Sequence, residues 1–230
     1  MRDLLIITPT RERPGNAKRL LDAVAATATA QTDLIFAVDD DDHSYDDDHY
    51  SLPRWAEIIR GPHQGVVGWT NDIAMERAGE YQALASLGDD HVPITTGWDQ
   101  RLLSVLCGRP GVSYGDDLNR GASLATSWVV SAPVIAALGY MGPPELIHLC
   151  MDLFIMQLGK DLGLLVYHPG AVIEHRHASV EKSDWDEVYR RANSLERYKD
   201  DWAAYSKFLA ERWPGDLTRL REKLGVTDYD

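Results

Sequence analysis

Long apolar stretches are missing from this sequence. No run approaches the ~18–20 residues that cross a bilayer, and runs such as Leu4–Ile7 have the length of a buried strand. No membrane span is expected. Cysteine is nearly absent: Cys107 and Cys150 are the only two in 230 residues, too few for a disulfide framework or a cysteine zinc site. The chain opens Met-Arg-Asp and enters an apolar run at once. From this no signal peptide is expected, and a reduced, cytoplasmic setting is the expectation. The 18 glycines and 11 prolines carry no triplet period, which excludes collagen. Basic residues are few, 23 against 36 acidic ones, for a net charge of −13. Such a chain repels phosphate backbones in general. No P-loop lysine and no serine nucleophile elbow is read.

What the chain does hold is a globular mixture, 44% hydrophobic and 26% charged, in which short apolar runs alternate with helix-period segments. Residues 4–8 read as a strand buried on both faces, followed by a loop at 9–15 with two prolines and a glycine. From Asn16, read as an N-cap, Leu20, Leu21, Val24 and Ala25 fall at helical spacing. A second strand at 33–38 ends in the acidic run 39–50. Strand, helix and strand in this order predict a βαβ unit. Further on, 57–60 read as a short strand, 61–71 as a glycine-spaced loop, 71–79 as a helix and 81–87 as a strand. A helix at 98–106, strands ending at 117 and 131, a short helix at 132–140, a buried helix at 146–159 and strand residues at 163–177 follow. From 184 to 224 the chain is helical and charge-rich, broken at Pro214-Gly215. The pattern predicts an α/β fold: a mixed, mostly parallel sheet flanked by helices (1–183), with a C-terminal helical extension of the same domain (184–230).

The acids sit where strands end: Asp39–Asp42, Asp89-Asp90 and Asp116-Asp117. In open α/β sheets ligands bind beyond the carboxyl ends of the strands. Clustered carboxylates there are stabilised by a hard divalent cation shared with substrate phosphates; the alternative is that Asp simply favours turns. The run from Asp39 is not an EF-hand loop, because Ser44 and Tyr50 occupy the positions that need Gly and Glu. His175 and His177 alternate at a strand end, so both imidazoles can face one ion, or both are solvated. Asp152 lies in the apolar segment 146–159. A carboxylate there needs a partner or a cleft, and burial of this kind makes general bases. Pro143-Pro144 are read as the helix start, with Glu145 in its first turn.

The order of these features resembles the GT-A glycosyltransferases, especially the inverting family 2 group and its small phage and bacterial members. The residues carrying the resemblance are Ile-Thr-Pro-Thr-Arg-Glu-Arg-Pro at 7–14, Val-Asp-Asp at 38–40 and the Asn-led helix to Gly-Glu-Tyr at 71–81. Gly-Asp-Asp-His at 88–91, Met-Asp-Leu-Phe-Ile-Met-Gln-Leu-Gly at 151–159 and Ile-Glu-His-Arg-His at 173–177 complete it. The resemblance covers residues 4–177. It implies that Thr8, Pro9, Arg11 and Asn71 line the nucleotide pocket and that Asp39 bonds the base, most often uracil. It implies that Asp89 touches the ribose or the ion, that Asp90 with His175 or His177 holds Mn2+ or Mg2+, and that Asp152 is the general base. The metal motif reads Gly-Asp-Asp-His rather than Asp-x-Asp, leaving His91 or Asp89 as a further ligand. Trp69-Thr70 stand where many relatives carry a basic residue. The implied partners are a nucleotide-diphosphate sugar donor and an acceptor that is a glycan, a small molecule or a modified DNA base. A nucleotidyltransferase acting on a sugar phosphate and an inactive nucleotide-sugar-binding module are the alternatives.

Overall fold

Leu4, Leu5, Ile6, Ile7 and Thr8 are all fully buried, so the first strand has no solvent face and must lie inside a sheet covered on both sides. The computed structural model describes residues 1–46, 52–177 and 186–226. In it β1 (Arg2–Thr10) lies between β2 (Thr32–Asp39) and β4 (Tyr81–Ser86), parallel to both, and β3 (Ala56–Gly61) adds to β2 in parallel. The second half completes the sheet with β5 (His91–Pro93), β6 (Val112–Asp116), β7 (Trp128–Ser131) and β8 (Leu165–His175). The order is β3-β2-β1-β4-β7-β6-β8-β5. β7 runs antiparallel to β4 and β6, β8 parallel to β6, and β5 antiparallel to β8.

Alternation along the strands sorts side chains into two apolar layers. Leu4, Ile6, Leu34 and Phe36 pack with α1 (Pro14–Thr27) and α3 (Trp98–Leu106). Leu5, Ile7, Ile35 and Leu84 pack with α2 (Gly65–Arg77), α4 (Ala132–Leu138) and α5 (Met151–Asp161). The C-terminal α6 (Glu187–Ala192), α7 (Leu195–Glu211) and α8 (Trp213–Leu224) follow, and Tyr205, Phe208, Trp213 and Leu220 join the second layer. Pro214 opens α8 at its first turn, the favoured place for a residue without an N–H. No helix among the described residues is long and apolar enough to cross a membrane.

Several boundaries differ from the sequence expectations. The glycine-spaced segment 61–71 is not all loop: α2 begins at Gly65, and burial of Val67, Trp69 and Thr70 overrides the weak helix propensity of glycine. Asn16 does not cap α1, which opens on Arg13 and Pro14. The segment 146–159 is helical only from Met151, because Cys150 takes a left-handed backbone (φ 65°). Glu145 is therefore outside that helix, paired with Arg212. The expected boundary at 183/184 and residues 47–50 of the acidic run lie outside the described residues. Between β6 and β8 the register shifts at Gly115/Asp116. A β-carbon on Gly115 would lie 2.2 Å from the Ala171 carbonyl oxygen, so only glycine fits this crossing.

Candidate active site

A cleft of about 760 Å3 opens beyond the carboxyl ends of β1, β2 and β4. Five carboxylates line it: Asp39, Asp41, Asp89, Asp90 and Asp152. Asp39 ends β2 and is buried. Its Oδ1 accepts from Trp69 Nε1 (2.8 Å), and Oδ2 meets Arg11 (2.8 Å) and His63 (2.7 Å). Burial works to raise its pKa, but the hydrogen bonds from Trp69, His63 and Arg11 outweigh it and hold the carboxyl below its ordinary range. Trp69 and His63 are site residues that no sequence motif marks. They come from α2 and the turn before it, where the glycine spacing suggests a loop.

Asp89 and Asp90 are neighbours with opposite electrostatics. Asp89 accepts from Thr10 Oγ1 at 2.6 Å, and Arg13 lies 3.6 Å away. Burial, then the charge of Asp90, pushes its carboxyl up to about 6. Asp90 Oδ2 lies 3.3 Å from His175 Nε2. Burial opposes ionisation of Asp90, yet the hydrogen bond and charge of His175 dominate and hold it well below the carboxylate range. His175 responds in kind: burial lowers its pKa, but Asp90 raises it above the ordinary value overall.

Asp90, His91 and His175 bring three ligand atoms within 4.8 Å of one another. The set of one carboxylate and two imidazoles suits manganese-like or zinc-like ions. The members do not fit equally well. His91 Nδ1 already accepts from the Gly88 N–H at 2.9 Å, and its ring stacks on His175 at 4.2 Å and 17°. Nitrogen lone pairs lie in the ring plane, so two parallel stacked rings do not converge on one ion. Asp90 and His175 fit a cation; His91 fits as the surface that fixes the His175 plane. Burial, then the charge of His175, pushes His91 down to about 3, so its ring stays neutral.

His177 lies outside this cluster. Its ring meets His175 and Tyr189 edge-on, each at 4.9 Å. β8 ends at His175, so the strand alternation that was to align the two histidines does not extend to 177. The neighbour of His175 comes instead from across the sheet, where β5 sets His91 directly opposite it.

Asp152 stands in the first turn of α5, on the cleft wall. Trp128 Nε1 donates to its Oδ1 at 3.3 Å. Burial pushes its carboxyl up to about 6, against the opposing charge of His175. Pro9 and Arg11 also line the cleft. Thr8 and Asn71 do not: Thr8 is fully buried in β1. The Asn71 amide is spent on the backbone of Met141 and Gly142, at 2.8–2.9 Å. Thr10, two residues along the same face of β1, takes the place read for Thr8. The third acidic turn is structural. Asp117 accepts the N–H groups of Asn119, Arg120 and Gly121 and the Thr126 hydroxyl. That turn in turn holds the His175 backbone, through the Asp117 carbonyl (3.1 Å) and Asn119 Nδ2 (2.5 Å). The string Gly-Val-Ser-Tyr-Gly at 111–115 is no nucleophile elbow, because Ser113 is fully buried in β6 and donates to the Leu102 carbonyl.

Comparison with known proteins gives the fold. No protein-family model and no curated protein sequence matches this chain. Solved structures do match. S. aureus TarS 1–349 in complex with UDP-GlcNAc aligns at a TM-score of 0.59 and 11% identity, over 97% of this chain and 80% of that one. The mannosyltransferase PcManGT from Pyrobaculum calidifontis, in complex with GDP-Man and Mn2+, aligns at 0.57 and 10%, over 98% and 76%. In a longer TarS structure the match covers 96% of this chain and 49% of that one, so this chain spans about half that length. The chain therefore has the GT-A fold, the fold of these glycosyltransferases.

Proposed function

We propose that this chain is a metal-dependent glycosyltransferase that moves a sugar from a nucleotide-diphosphate donor, UDP-linked by preference, to an acceptor hydroxyl with inversion. The observation that carries the proposal is the meeting of Asp39, Asp89, Asp90, His175 and Asp152 in one cleft at the carboxyl ends of the parallel strands. Support also comes from neighbours of the same fold whose structures hold UDP-GlcNAc, or GDP-Man with Mn2+. Residues 1–183 carry the acids and His175 of this reading, and the proposed helical extension, 184–230, adds Tyr189, Arg191 and Arg197 to the cleft wall.

In this reading Asp39 accepts from the base, with Pro9 and Arg11 beside it, and Asp89 faces the ribose. Asp90 and His175 hold Mn2+ or Mg2+. A divalent cation bound there supplies Lewis-acid stabilisation of the departing diphosphate. Asp152 takes the proton of the attacking hydroxyl, and a carboxyl near 6 suits a base that works close to neutral pH. Trp128 fixes one of its oxygens, which orients the other toward the acceptor. A single displacement needs no covalent glycosyl-enzyme, consistent with the absence of an exposed serine elbow among the described residues. The net charge of −13 weighs against DNA as acceptor.

Calorimetric titration with UDP, with and without manganese, tests the metal assignment. Wild type should bind UDP more tightly with manganese, and Asp90→Ala should lose that increment while keeping its Tm. Equal manganese enhancement in both proteins would remove Asp90 from the metal site.

A further inference from the structure

Asp39, proposed above to accept from the base, has most of its acceptor capacity already taken. An ionised carboxylate offers about four lone-pair sites, two on each oxygen. Oδ2 meets Arg11 Nη1 at 2.8 Å and His63 Nδ1 at 2.7 Å, which fills both of its sites. The carboxyl is held ionised, so His63 Nδ1 must carry the proton and donate. Oδ1 accepts from Trp69 Nε1 at 2.8 Å and keeps one site. Asp41, two residues on, gives both oxygens to the Arg11 guanidinium, at 2.6 and 2.9 Å.

The indole is fixed by the fold and not by the carboxylate alone. Trp69 is buried on α2 within the second apolar layer and also lines the cleft. It reaches Asp39 across Gly61, which β3 sets directly opposite Asp39 and whose carbonyl accepts from the Asp40 N–H at 2.8 Å. A β-carbon on Gly61 would lie 2.7 Å from Trp69 Cη2, so the ring passes over a residue that has no side chain to block it. We infer that Trp69 is a positioning residue that sets base specificity: by holding Oδ1 it leaves Asp39 a single acceptor site, which fits the one ring N–H of uracil and cannot take both the ring N–H and the adjacent amine of guanine. The inference rests on the donor reading above and adds to it a physical reason for choosing between bases.

Titration of wild type, Trp69→Phe and Gly61→Ala with UDP and GDP in manganese tests it. Metal and diphosphate contacts are common to both ligands and cancel in the ratio of their affinities. Wild type should bind UDP roughly 10–100-fold more tightly than GDP, the cost of leaving one guanine N–H unpaired. Trp69→Phe keeps a ring and removes the donor. The freed site on Oδ1 then takes the second N–H, and the preference should narrow by roughly 10-fold. Gly61→Ala displaces the indole without removing it and should narrow the preference in the same direction, which keeps the test open if Trp69→Phe fails to fold. If the ratio stays that of wild type in the variants, whether or not both affinities fall, Trp69 only packs and the inference is overturned. If wild type takes GDP as tightly as UDP, the single-site assignment is wrong while the nucleotide-diphosphate reading stands. If wild type binds neither, the donor reading falls and the inference with it.

Discussion

One wall of the cleft takes its acids from the ends of parallel strands: Asp39 closes β2, and Asp89-Asp90 follow β4. The facing wall draws Asp152 from the start of α5, His175 from the end of β8 and Arg197 from α7. The first wall is local in sequence and set by a sheet buried on both faces. The second depends on long-range links: the Asp117 turn behind His175, the stack on His91 and a clamp by buried Asp201, which accepts the N–H groups of Ile147, His148 and Leu149 in the cleft wall. A strand end delivers a carboxylate wherever the strand is; a wall of separate elements delivers its groups only if the rest of the fold brings them there.

The comparison can be broken most sharply at Asp152. Asp152→Asn keeps shape and polarity but cannot accept a proton. Transfer should fall by roughly 10²–10⁴-fold while donor binding, in which Asp152 takes no part, persists. Near wild-type transfer would move the base to His148, which also lines the cleft. The next effect belongs to the histidines. His175→Ala should weaken manganese affinity by roughly 10-fold or more, and His177→Ala far less; the reverse order in a metal titration would restore the strand-alternation reading. Asp201→Ala should come third, leaving three amides without their acceptor. A stability loss of roughly 1–3 kcal/mol is expected, at about 2–4 °C in Tm per kcal/mol for a chain of this size. A Tm unchanged in calorimetry would show that water replaces the clamp at no cost.

The smallest effect concerns pH. The folded pKa of Asp152 is raised to about 6, so its ionised form destabilises the fold. That penalty is absent below about pH 4, where the unfolded group is also protonated, and is complete above about pH 6. In metal-free protein Asp152→Asn should therefore match wild type in Tm near pH 4 and exceed it at pH 7, the gap opening between those two values. A difference that stays flat between those pH values would mean that Asp152 is not buried enough to resist ionisation.

The donor wall was largely legible. Leu4–Thr8 and residues 33–38 have the continuous apolar character of strands covered on both faces, and the acids stand where such strands must stop. What escaped was set by pairing at a distance. Nothing near His91 announces that a three-residue strand will place it opposite His175. The glycines at 61, 65 and 68 masked a helix whose buried Val67 and Trp69 decide the matter. Thr8 and Thr10 share one face of β1, and alternation cannot tell which lies level with Asp89; the reach of the strand does. Asn71 had the right neighbours in sequence, but its amide is consumed by a backbone turn some 70 residues later.

The crossing at Gly115 has a consequence for how freely this sequence can drift. β8 is bonded to β6 up to Val172 and then to β5 through His175, and it changes partners across the irregularity that Gly115 makes possible. Any mutation of Gly115 sets a β-carbon against the Ala171 carbonyl and displaces the strand that carries His175 toward Asp90. The mutational tolerance of the cleft is therefore limited at a position that touches no ligand and carries no functional group. Variants lost at Gly115 would resemble loss of a site residue in every assay of activity, although every side chain of the site would still be encoded.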